Sequence, residues 1–89
     1  MNAKQAREKA KSNTPQLIEA IVQSSKNDIT HAINVAVNVG HYSTRKTFAL
    51  PKSAEDNVIQ QLEKHFTNLG YEIKIYDFFN EKVFHISWV

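Results

Sequence analysis

Apolar residues in the first half of the chain recur every three or four positions. From Pro15 onward, Leu17, Ile18, Ile21, Val22, Ile29, Ala32, Ile33 and Ala36 keep that spacing, which gathers them on one side of an α-helix. Asn27-Asp28 offers a second start that would divide the run into two helices. The segment Ile33–Val39 also alternates with period two and is rich in β-branched residues, so a strand competes there. The helical stripe enters it in phase and Gly40 follows as a natural C′ residue, which favours helix.

Residues 2–12 are alanine, lysine, glutamine and glutamate in large part, all good helix formers. Their only periodic stripe is Ala3, Ala6 and Ala10, too thin to hold a helix by burial. This segment is expected to fray or to dock on a partner. Ser12-Asn13-Thr14-Pro15 predicts a break, because proline disfavours a helical residue before it. Thr14 as N-cap and Pro15 at the first helical position then predict a restart.

The second half changes period. Thr44–Leu50 reads as a strand ended by Pro51. Ser53 is the expected N-cap of a helix with Glu55 and Asp56 in its first turn, where the dipole favours acids. Val58, Ile59, Leu62, Phe66 and Leu69 form its apolar face, and Gly70 stops it. Tyr71, Ile73 and Ile75 alternate with Glu72, Lys74 and Tyr76; Phe84, Ile86 and Trp88 alternate with Val83, His85 and Ser87. These two strands predict an antiparallel hairpin turning at Phe78–Lys82, with the Ile73 and Ile86 sets facing the helices. A right-handed crossover from Thr44 to Phe78 would make the first two strands parallel. The expected fold is therefore α/β (α+β): one domain over residues 1–89, order α-α-β-α-β-β, with helices on one face of a three-stranded mixed sheet.

Eighty-nine residues without cysteine exclude a disulfide, a thiolate zinc site and a cysteine nucleophile. The longest apolar stretch is too short to span a bilayer, and the first five residues lack the apolar core of a secretory signal. Both point to a cytoplasmic protein without membrane association. The net charge of +2 is small, but the cations are uneven: Lys4, Arg7, Lys9 and Lys11 stand against Glu8 alone, and Arg45, Lys46 and Lys52 follow Gly40. Such clusters can meet phosphates, although solvated surface lysines are the commoner case.

Chemistry-bearing patterns are lacking. His31, His41, His65 and His85 make no metal-ligand spacing; His65 is expected at a core boundary, and His85 opposite Ile86 beside Tyr76 and Ser87. Ser43, Ser53 and Ser87 lie in no nucleophile motif. Two glycines cannot build a phosphate-cradling loop. No enzymatic activity and no cofactor are expected. Tyr42, Tyr76, Phe78 and Phe79 exceed what so small a core needs, and an exposed aromatic is a common binding anchor.

The layout from the alanine- and lysine-rich start, through Gly40-His41-Tyr42 and Leu69-Gly70-Tyr71, to Ile86-Ser87-Trp88 resembles small α/β accessory proteins of tailed bacteriophages, many of them orphans. The resemblance spans nearly the whole chain and rests on a helix stop and a terminal strand. It implies a phage accessory protein made in the host cytoplasm, and carries no catalytic residues. Together these readings predict a non-enzymatic binding module acting as a homo-oligomer on a host protein or a small nucleotide-like signal, through Tyr76, Phe79, His85 and Tyr42. The alternatives are a nucleic-acid-binding protein using Lys4, Arg7, Lys9, Lys11, Arg45 and Lys46, and a structural component of the virion.

Overall fold

A computed structural model describes residues 2–89. It has five elements: α1 (Ala3–Asn38), β1 (Ser43–Phe48), α2 (Glu55–Asn68), β2 (Glu72–Phe78) and β3 (Glu81–Ser87). The class is α+β, with one long amino-terminal helix where the sequence predicted two. The expected break at Pro15 is absent: Pro15 lies inside α1. The Lys11 carbonyl thereby loses its i+4 donor, but residues 11–13 are exposed, so water can take the donor's place. Thr14 does not cap; its hydroxyl donates back to the Ala10 carbonyl at 2.9 Å. The true cap is Asn2, whose side chain accepts from the Gln5 N–H, while the Gln5 side chain accepts from the Asn2 N–H. Asn27-Asp28 does not interrupt the helix, and Ile33–Asn38 is helical as favoured.

The sheet order is β1-β3-β2, and both pairings are antiparallel. The expected mixed sheet is thus corrected. β1 and β2 run in the same direction, but β3 lies between them. β3 takes the centre, and its Phe84 and Ile86 are fully buried. The hairpin register pairs Ile73 with Ile86 and Ile75 with Phe84, as the alternation required. Ser53 does not cap α2; Ala54 occupies that position without a side-chain bond, and its N–H donates to the Pro51 carbonyl at 3.0 Å.

Both helices pack on one face of the sheet. The core joins Val22, Ile29 and Ile33 of α1 to Val58, Leu62 and Phe66 of α2 and to Phe84 and Ile86 of β3. Trp88, in the helix-facing set with Phe84 and Ile86, is half-buried; its ring meets Tyr71 edge-on at 6.2 Å, and its backbone N–H donates to the Tyr42 carbonyl at 3.0 Å. Each helix ends on a glycine at positive φ, +79° at Gly40 and +95° at Gly70, with the paired back-bonds of a Schellman stop at both.

A helix of 36 residues is about 54 Å long at 1.5 Å per residue, which equals the 54 Å long axis of the molecule. The burial of α1 begins only at Thr14 and Ile18; residues 2–13 are all exposed. The first three turns of α1 therefore overhang the body.

Candidate partner-binding surfaces

Three surfaces hold the residues that the sequence pointed to. The first is the sheet face away from the helices. Strand register puts Arg45, His85 and Lys74 in one row across it, and Thr47, Val83 and Tyr76 in the next. Tyr76 and Phe78 are two residues apart on β2, so their side chains share this face about 7 Å apart. Tyr76 and Phe78 are exposed, and Arg45, Tyr76, Phe78 and Val83 line a shallow depression of about 300 Å³. The face is close to neutral, because Glu72 and Glu81 share it with Arg45 and Lys74; Glu72 lies 4.0 Å from Lys74.

Alternation divides the expected Arg45/Lys46 cluster. Lys46 is opposite Phe84 on the helix-facing side and half-buried, so only Arg45 reaches the open face. Tyr42 and Phe79 are likewise separated. Tyr42 precedes the β1 end that pairs with Ser87, whereas Phe79 forms the turn at the other end of the hairpin. Of the four expected partner-binding residues, Tyr76 and His85 share one face; Phe79 and Tyr42 occupy opposite ends of the sheet.

The second surface is the hairpin tip. Phe78 and Glu81 pair, which leaves Phe79-Asn80 as a two-residue turn. Phe79 has φ +57°, a left-handed value that bulky residues avoid and turns reserve for glycine or asparagine. Its ring is 90% exposed and meets Phe78 edge-on at 4.7 Å. Behind the tip, Lys82 bonds Asp77 and lies 2.8 Å from Glu55 at the start of α2. Those two hydrogen bonds, Asp77 first, raise the Lys82 pKa and clamp the hairpin to α2.

The third surface is the overhang of α1. Lys4, Arg7 and Lys11 follow the same three-and-four spacing as Ile18, Val22, Ser25 and Ile29 behind them, so they continue the core-facing side of the helix beyond the core. Lys9 falls on the opposite side, and the four cations do not form one patch. Where the overhang leaves the body, Ala10, Lys11, Asn13, Thr14, Leu17 and Ser53 enclose a crook of about 580 Å³.

His65 is at the core boundary as expected, edge-on to Phe66 at 4.9 Å; desolvation, with Lys26 nearby, lowers its pKa. Among the described residues no group of three His, Cys, Asp or Glu side chains is placed to hold a metal, and no helix is long and apolar enough to cross a membrane. Residues 2–12 were expected to lack burial, but their continuity with α1 through Pro15 was not; the strain at Phe79 was missed, and so was the hairpin tip as a two-residue turn. The available signal for the tip was Phe79-Asn80, a turn without glycine between two alternating runs. No family model, curated protein or solved structure matches the chain.

Proposed function

We propose that this chain is a non-enzymatic binding module: a small accessory protein of a tailed bacteriophage that works as a homo-oligomer in the host cytoplasm. Its target is a host protein or a small nucleotide-like signal. The phage origin rests on the Leu69-Gly70-Tyr71 stop and the terminal Ile86-Ser87-Trp88 strand. The observation that carries the binding role is the stretch Ala3–Leu17, a helix with every residue of its first three turns exposed. A helical segment of that length without packing is marginal in water. A second copy of the chain supplies the missing packing, and the open sheet face, with Tyr76 and His85, remains for the host component.

Native mass spectrometry of protein purified from producing cells tests the reading, because it registers subunit number and retained small molecules together. The expected result is at least twice 10.2 kDa, plus the mass of any retained small molecule. A bare monomer at tens of micromolar would overturn it.

One observation favours nucleic-acid binding as a second reading. Lys4, Arg7 and Lys11 form a cationic line on the overhang, and Lys9 adds charge behind it. Binding of this kind weakens steeply with salt. Titration of a labelled single-stranded oligonucleotide at low and at physiological salt distinguishes it: affinity that collapses with salt supports it, and no binding at low salt removes it.

A further inference from the structure

The hairpin tip and the crook under α1 are a knob and a hole at the same end of one molecule. Lys52 lines a depression together with Phe79, and the adjacent Ser53 lines the crook. The knob is an almost fully exposed phenyl ring on strained backbone. Such strain is retained where it holds a side chain in a functional position. The hole has apolar walls in Ala10, Leu17 and the Thr14 methyl, and it is larger than one phenyl ring requires.

The charges around the two features differ in balance: beside Phe79 the carboxylates Glu55, Asp77 and Glu81 outnumber Lys52 and Lys82, and Lys82 pairs with Asp77 and Glu55, which leaves Glu81 free. Asp77 and Glu81 flank Phe79 in sequence, and Glu55 and Asp56 start α2 at the same end. Beside the hole stand Lys11 and, one and two turns out, Arg7 and Lys4. Outside the overhang the chain holds eight carboxylates and seven lysines and arginines, so its positive excess is concentrated in the overhang. Phe79 does not enter its own chain's crook, since its ring is exposed. A second copy turned by a two-fold rotation can present its Phe79 to this crook and receive the first copy's Phe79 in return, which makes the contact self-complementary and closed.

We propose that this end of the molecule is the self-association surface: Phe79 of each copy seats in the crook beneath the other copy's α1, and Arg7 and Lys11 meet the carboxylates around the entering hairpin. This names the interface for the self-association proposed above and rests on that reading. The crook lies under the overhang, so its residues Ala10, Lys11 and Asn13 gain packing from the partner's hairpin.

Sedimentation velocity on the full chain, three single variants and one double variant tests the assignment. Phe79→Asn places a residue that tolerates positive φ in the turn. It is expected to weaken self-association at least about tenfold, while the monomer melts no lower than the parent chain. Arg7→Glu and Glu81→Lys are each expected to weaken it, and the double variant to recover it, because the pair exchanges charge across the interface. If the parent chain sediments as a monomer, the self-association reading itself fails. If the parent associates and all three single variants associate equally well, that reading stands and the knob-and-crook interface is overturned.

Discussion

Across Gly70, the Tyr71 N–H donates to the Phe66 carbonyl at 3.1 Å, and the two rings meet edge-on at 6.0 Å. One backbone bond thus closes α2 while the side chains on either side of the stop join the same core. The geometry depends on φ +95° at Gly70. A Cβ there would meet nothing within 4 Å, so the cost of a side chain is backbone strain alone. Gly70→Ala is expected to cost about 1–2 kcal/mol, seen as a drop of several degrees in Tm. An unchanged melting curve would refute the strain.

Core truncations are expected to follow burial. Phe84 is fully buried and packs edge-on against Phe48 at 5.4 Å. Phe84→Ala should cost about 3–5 kcal/mol. Trp88 is half-buried and should cost about 1–2 kcal/mol on conversion to alanine. Denaturant melts of the two variants check the order, and an equal or larger loss at Trp88 would contradict the packing described.

Pro15 interrupts the bonding of α1 at an exposed position. Proline in a helix interior is disfavoured by about 3 kcal/mol relative to alanine. Pro15→Ala should increase the helical circular dichroism signal and raise Tm. No rise in Tm would mean that proline carries no cost at this position.

His65 gives stability a pH dependence. Its folded-state pKa is lowered, chiefly by desolvation, so the unfolded chain binds a proton more readily. Its contribution is present above the ordinary histidine range near pH 6.5 and is lost as pH falls through the lower folded-state value. Melting at pH 7.5 and at pH 5.5 should show a loss on acidification that His65→Gln reduces. An identical loss in that variant would assign it to other groups.

Local rules made much of the fold legible. Gly40 and Gly70 ended their helices because glycine takes positive φ without a Cβ penalty, and the alternation of Ile73, Ile75, Phe84 and Ile86 set the hairpin register. Strand order was not legible, since the burial of Phe84 and Ile86 between two neighbours depends on how β1 returns from the far side of the molecule. Pro15 misled because the local rule assumes a bonding loss that solvent can offset at an exposed position. Of the site, Tyr76 and His85 were legible as one face by alternation. The same alternation argued against joining Arg45 to Lys46. The strain at Phe79 depends on the turn length, which only the pairing of Phe78 with Glu81 defines.

Hydrogen exchange of the α1 overhang as a function of protein concentration tests self-association most directly. In a single chain the amides of Ala3–Leu17 have no packing to slow their opening. Self-association predicts slow exchange of this segment at tens of micromolar and above, and fast exchange on dilution, while the Ile29–Ala36 turns remain protected throughout. Equally fast exchange of Ala3–Leu17 at every concentration would contradict it.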